Sequence, residues 1–113
     1  MKKKIIAANF KMNKTDEEIK KYFAVFLDLI NGLKNKTSYA GLDAELIFAP
    51  AFTSLSETHK LIEPYLDFIK LSSQNVYFEK SGAYTGEISI DMIKACGKLI
   101  FDESFLSVLF SYI

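Results

Sequence analysis

Asn9 and Lys11 are the residues whose types and spacing point most directly to chemistry. They stand at the end of a short apolar run, Lys4 to Phe10, that contains Ile5, Ile6, Ala7 and Ala8. If that run is a strand, alternation places Asn9 and Lys11 on one side and Phe10 on the other. An amide and an ammonium projecting together from the end of an apolar strand can hold an anionic or carbonyl-bearing small molecule. A plainer reading stands beside this one: Lys11 lays its stem along apolar surface and leaves its charge in water. Pattern alone does not choose between them. The remaining candidates carry less. His59, the single histidine, falls in a helical stretch among polar residues and reads as a solvated position. Cys96 adjoins Gly97 at a helix end and reads as a buried structural thiol. Glu79, Glu87, Asp91, Asp102 and Glu103 have no visible partner, and their spacing assigns none of them a catalytic role. No Gly-rich phosphate loop follows the first strand, so a dinucleotide fingerprint is absent.

Composition narrows the classes. The chain has 113 residues, half of them hydrophobic, with a formal net charge of zero, so it suits one ordinary domain with a core. Balanced charge argues against a dedicated nucleic-acid binder. Apart from His59, the basic side chains are all lysine, so no bidentate arginine clamp for phosphate exists here. One cysteine permits neither an internal disulfide nor a zinc cluster of several thiolates, and no metal is expected. The setting this implies is reducing and cytoplasmic. The basic start, Met1 to Lys4, opens an apolar run that breaks at Asn9 and Lys11, too early for a secretory core. No apolar stretch reaches the ~20 residues a membrane span requires.

The elements that must position Asn9 and Lys11 follow a strand–helix rhythm. The first strand, expected to be buried on both faces as in a parallel sheet, gives way to a helix over Lys14–Leu33. Ile19, Tyr22, Phe23, Phe26, Leu27, Ile30 and Leu33 form its apolar stripe. Thr15-Asp16-Glu17-Glu18 is a capping-box pattern at its start. A polar loop, Asn35–Asp43, leads to a second strand, Ala44–Ala49, stopped by Pro50. A second helix starts near Thr53, helped by Ser54-Leu55-Ser56-Glu57, and stops at Pro64. Asp67–Ser72 reads as a third strand, Gln74–Glu87 as a long polar loop, and Ile88–Ala95 as a short helix ending at Gly97. Such alternation builds βαβ units, either in an open sheet or in part of a barrel.

Four segments are more specific than periodicity. Ala8-Asn9-Phe10-Lys11-Met12-Asn13 resembles the first-strand signature of triosephosphate isomerases, with Phe10 where that family usually has tryptophan. Ala49-Pro50-Ala51-Phe52-Thr53 resembles its second strand-to-helix turn. Ser73-Gln74-Asn75-Val76-Tyr77 and Ser81-Gly82-Ala83-Tyr84-Thr85-Gly86-Glu87-Ile88-Ser89 resemble its third loop. The resemblance covers Lys4 to about Gly97. It implies an α/β fold: the first three βα units of a (β/α)8 barrel of ~250 residues in residues 1–97, then a divergent hydrophobic tail in residues 98–113.

By the same resemblance, the activity is interconversion of dihydroxyacetone phosphate and glyceraldehyde 3-phosphate, in glycolysis and gluconeogenesis, without metal or organic cofactor. Asn9 and Lys11 would contact the triose phosphate, with Lys11 stabilising charge on the phosphate and the enediolate. Gln74, Gly82, Tyr84, Thr85, Gly86 and Glu87 would belong to a homodimer interface, with Thr85 at the tip of the loop that enters the second subunit. The family's mechanism, a standard case of acid–base tuning, also needs a glutamate base and a neutral histidine. After Gly97 this chain reads Lys98-Leu99-Ile100-Phe101-Asp102-Glu103, with no histidine. The base, lid and main phosphate loops are expected beyond residue 113, and the chain alone is expected to be inactive. Two other readings remain: a non-catalytic fragment that associates through Gly82–Glu87, and a small anion-binding α/β domain. A sheet of three or four strands with one open face predicts a marginal monomer that associates or binds a hydrophobic dye. A sharp, reversible unfolding transition independent of concentration would contradict that expectation.

Overall fold

Three short apolar runs and the helices between them assemble into a parallel sheet of order β1-β2-β3 in a computed structural model that describes residues 4–34 and 44–99. Strand β1 spans Lys4–Asn9, β2 Ala44–Ala49 and β3 Ile69–Leu71. β1 pairs with β2 from Lys4 opposite Ala44 to Asn9 opposite Ala49. β2 pairs with β3 from Leu46 opposite Ile69 to Phe48 opposite Leu71. Backbone bonds from Leu46 N–H to the Phe68 carbonyl and from Ser72 N–H to the Phe48 carbonyl, both 2.9 Å, carry this pairing past each end of β3. The sequence therefore places the third strand correctly and overstates its length. The expected loop 35–43 and most of the expected tail, residues 100–113, lie outside the described residues.

Burial of β1 on both faces is not what the chain shows. Ile5 and Ile6 are 61% and 58% exposed, whereas Ile47 and Phe48 of β2 are buried. β2 has a hydrogen-bonded neighbour on each side, while β1 has one and forms an edge among the described residues, and the main helix packing falls between α1 and α2 and between α2 and β3.

Helix α1, Asp16–Lys34, carries the expected stripe and buries it. Ile19, Phe23 and Ile30 are buried, Tyr22, Phe26 and Leu27 are partly buried, and Leu33 near the helix end is exposed. Phe23 meets Phe48 edge-on at 5.0 Å, and burying a phenyl ring of this kind contributes about 2–3 kcal/mol. The capping box is present: Glu18 N–H donates to Thr15 Oγ1, and Thr15 N–H donates to Glu18 Oε1, each at 3.3 Å. The helix begins at Asp16, not at Lys14, because Lys14 has φ 77°, outside helical space. Asp16, Glu17 and Glu18 in the first turn complement the helix dipole.

Helix α2, Leu55–Ile62, follows a 3-10 turn at Phe52–Ser54. Ser54 does not help it start: its side chain makes no capping bond, and its hydroxyl is buried without a partner. Pro64 sits at the start of a second 3-10 turn, Glu63–Tyr65, where its missing N–H costs no helical bond. The α-helix thus ends at Ile62, two residues before the proline. α1 packs on α2, and α2 on β3. Ile19, Phe23, Phe48, Leu55, Ile62, Ile69, Leu71 and Ile93 form the core between them.

Helix α3, Ile90–Ala95, is capped by Ser89, whose hydroxyl accepts from Met92 N–H at 3.2 Å. Two expectations near its end are corrected. Cys96 is half-buried, its thiol directed to the Met92 carbonyl at 3.4 Å. His59 is not a solvated position: it is half-buried, and Gly97 lies against its imidazole. A Cβ at residue 97 would stand 2.3 Å from His59 Cγ, and Gly97 also has φ 153°. The contact joins α2 to the exit of α3 and depends on glycine. We expect Gly97→Ala to lower the unfolding free energy by about 1–3 kcal/mol. His59→Ala in that background should recover part of the loss in a urea double-mutant cycle. Wild-type stability in the single variant would show that this packing is wrong.

Candidate functional site

The carboxyl ends of the three strands fall at Asn9, Ala49 and Leu71, where ligands bind in parallel α/β folds. Phe10, immediately after β1, turns its ring into the protein. It meets Tyr22 edge-on at 5.0 Å and Phe48 at 5.9 Å, and Phe23 lies at 6.5 Å. This seat fixes the direction in which the chain leaves the sheet. The backbone then turns at Lys11, which has φ 54°. Lys11 N–H donates to Asn9 Oδ1 at 2.8 Å, and Asn13 Nδ2 donates to the Phe10 carbonyl at 2.9 Å. Lys14 also has positive φ, and its ammonium lies 5.3 Å from the centre of the Tyr22 ring and 5.8 Å from that of Phe10. Burial pushes the Tyr22 phenol above its ordinary pKa. That contribution to stability is present below the unfolded tyrosine value and disappears as pH rises through the raised one.

Asn9 and Lys11 are thus neighbours by a different route from the one alternation suggests. The strand stops at Asn9, so the period of two does not reach Lys11. A side-chain-to-backbone bond across two residues holds the pair instead. A non-glycine residue in the left-handed region costs about 1–2 kcal/mol, so contacts specific to that conformation must hold Lys11 there. Because Asn9 Oδ1 is an acceptor for Lys11 N–H, the Asn9 Nδ2 hydrogens are the donors left to a ligand. Both residues are exposed.

Gln74, two residues past the β3 pairing, supplies the second tie. Its Nε2 donates to the Lys11 carbonyl and to the Ala49 carbonyl, each at 2.9 Å. The Ala49 carbonyl also accepts from Phe10 N–H at 3.1 Å. One amide thereby joins the exits of β1 and β2 to the segment after β3. Sequence reasoning did not anticipate this bond. The only local signal was a half-polar residue placed just after an apolar strand.

The other residues singled out by resemblance stand apart from this cluster. Tyr77 N–H donates to the Ile88 carbonyl at 2.8 Å and closes the base of a loop. Gly82, Tyr84, Thr85, Gly86 and Glu87 are exposed along it. Glu87 N–H bonds the Tyr84 carbonyl at 3.0 Å across a turn that Gly86, at φ 89°, permits. Tyr84 stacks obliquely on Tyr77 at 4.8 Å, and Phe78 is 80% exposed. A groove of about 560 Å³ also runs beside α1, lined by Lys14, Tyr22, Val25, Phe26 and Leu29 among others, but it holds neither Asn9 nor Lys11.

The Asn9–Lys11 turn offers an ammonium and amide hydrogens, which fit an anion or a carbonyl oxygen. Its side chains include no proton acceptor of suitable strength, and His59 lies elsewhere, on α2 against Gly97. Among the described residues no three His, Cys, Asp or Glu side chains gather as a metal site, and no helix is long and apolar enough to cross a membrane.

Parallel βα units of this kind define an α/β fold, with polar donors gathered at the carboxyl ends of its strands. Sequence comparison makes the assignment specific. The model of the triosephosphate isomerase family matches residues 4–100. The triosephosphate isomerase of Dictyoglomus thermophilum is 44% identical over 94 residues, which is 83% of this chain and 34% of that protein. That of Synechococcus sp. is 41% identical over 97 residues, 86% of this chain and 36% of the relative. That of Aquifex aeolicus is 38% identical over 95 residues, 84% and 34%. The chain belongs to the triosephosphate isomerase family, with the fold of its first three βα units, and spans about a third of the length of these relatives.

The left-handed turn is open to a direct test. Lys11→Gly should raise stability by about 0.5–1 kcal/mol, because glycine adopts positive φ without the Cβ penalty. Lys11→Ala should give no such gain. Equal unfolding midpoints for the two variants in urea would show that Lys11 is not left-handed in solution.

Proposed function

We propose that this chain carries the charge-stabilising part of a triose phosphate isomerase site and does not complete the isomerisation by itself. The observation behind this reading is the Asn9–Lys11 turn at the end of β1, where Asn9 Oδ1 accepts from Lys11 N–H and the groups left to a ligand are an ammonium and amide hydrogens, with no proton acceptor among them. Family membership supports triose phosphates as the ligand class. In this reading Lys11 holds the phosphate and the developing enediolate oxygen by fixed charge, and Asn9 adds amide hydrogen bonds. Proton transfer between the two triose carbons needs a base near neutrality and a group that polarises the carbonyl. The single histidine of the chain is occupied with structural packing against Gly97. No metal or organic cofactor enters the proposal. The proposed setting is cytoplasmic.

The proposal extends to assembly. The preformed loop at Gly82–Glu87, with its closed base and exposed Phe78 and Tyr84, favours association with a second subunit of the same family. Gln74, whose amide is engaged within the chain, would support that interface from behind.

A coupled assay on the chain purified from a host lacking its own isomerase tests the catalytic half. The expected result is no conversion of glyceraldehyde 3-phosphate above the buffer rate. Turnover that disappears in Lys11→Ala would overturn the proposal.

A further inference from the structure

We propose that the 113-residue chain pairs with a second copy of itself along β1, in an antiparallel two-fold joint that makes one six-stranded sheet. Two exposed apolar features meet on this side of the molecule. Ile5 and Ile6 of β1 are 61% and 58% exposed, and Val25 and Leu29, which line the groove beside α1, are 63% and 62% exposed. α1 lies above β1 and β2, since its rings reach Phe10 after the one and Phe48 of the other. Ile6 stands opposite Leu46, which packs on the core beneath the helices, so Ile6 is on the α1 face of the sheet.

Hydrogen bonding selects the partner and its register. Phe10 N–H bonds the Ala49 carbonyl, so the even-numbered positions of β1 face β2. By alternation Ile5, Ala7 and Asn9 turn their backbone N–H and C=O outward, and no strand among the described residues takes them. A second β1 running antiparallel satisfies these groups with its own. Centring the two-fold on Ile6 sets that residue beside its counterpart and Ile5 opposite Ala7. Apolar side chains then meet, and the Asn9–Lys11 turns fall at opposite ends of the joint. Lys4 meets Ala8, whereas a parallel copy in register would stack Lys4 on Lys4. With strands ~4.8 Å apart and each α1 above its own β1–β2 pair, the two α1 helices come ~10 Å apart, a distance at which helices pack. The described chain ends at Leu99, past α3, whose exit lies against α2, the helix that packs on β3 and not on β1. That leaves the β1 side free for a second copy.

The test is sedimentation velocity of the full chain over a broad concentration range. Wild type is expected as a concentration-dependent dimer. Ile6→Lys sets like charges at the two-fold and removes apolar contact, so it should weaken dimerisation about tenfold or more with circular dichroism unchanged. Cross-linking in a Cys96→Ser background reads the register. The two Ile6 positions form a pair without mutual hydrogen bonds, with Cα atoms about 4.5 Å apart, within disulfide reach. The two Ile5 positions lie diagonally, about 7–8 Å apart, beyond it. Oxidised Ile6→Cys should therefore cross-link and Ile5→Cys should not. A monomer at every concentration, aggregates without a dimer, or equal cross-linking at both positions overturns the proposal. Association that survives Ile6→Lys but is lost in Tyr84→Ser also overturns it, and places the contact at the Gly82–Glu87 loop. Should Ile6→Lys unfold the chain, Val25→Lys on the exposed face of α1 decides. Loss of the dimer with circular dichroism kept supports the joint, and an unchanged dimer overturns it.

Discussion

The seat of Phe10 is the contact on which the rest of the strand-end arrangement depends. Its ring lies against Tyr22 and Phe23 of α1 and Phe48 of β2, so one side chain registers the first helix against the central strand. Its backbone is tied as well, through Phe10 N–H to the Ala49 carbonyl and the Phe10 carbonyl to Asn13. Asn9 and Lys11 flank this anchor in sequence. Neither needs a pocket of its own, because the anchored residue between them fixes where both emerge. A polar site built beside a partly buried aromatic residue that packs on the core inherits its stiffness without placing charge inside it. The Lys14 ammonium over the Phe10 and Tyr22 rings closes the same cluster from the solvent side.

The same sheet that positions the site leaves one margin open. β1 carries the candidate site and is also the sheet's edge among the described residues, with Ile5 and Ile6 largely exposed. In a closed barrel such side chains pack in layers contributed by all the strands. The relatives at 38–44% identity are about three times as long as the segment they share with this chain. Stability and site geometry are therefore coupled. Apolar surface on β1 that drives association would also carry Asn9 and Lys11 toward whatever covers it. The ties at Phe10 and Gln74 act against this by holding the strand's exit to β2 and to the segment after β3, independently of what pairs with the edge.

How much of this was legible in the residues depended on the range of the interaction. The capping box at Thr15 and Glu18 and the stripe of α1 are local and were readable, because three- and four-residue spacing fixes which atoms meet. The parallel fold followed from the rhythm of the elements, and the family from four short segments. The Lys14 and Lys11 turns were not readable, since lysine carries no preference for positive φ and the alternation rule gives no warning where a strand stops. Burial of β1 failed for another reason: apolar composition reports what a strand would prefer to cover, while exposure depends on its neighbours. His59 against Gly97 and Gln74 across to Lys11 join residues 38 and 63 positions apart in the sequence, beyond any periodic signal.

The donor-only character of the site has a consequence for what partial barrels can retain. An ammonium and an amide can bind an oxyanion whether or not chemistry follows, since they act on charge already present in the ground state. Acceleration requires interactions that strengthen as the transition state forms, and for a proton transfer these include a base placed at the carbon acid. Binding and catalysis therefore draw on different parts of the barrel. In the reading proposed above, the first draws on residues within two positions of one strand end, tied by one distant amide. The second requires groups from several strands facing one another across a ligand. Anion affinity is accordingly the property most separable from the rest of the fold, and turnover the least.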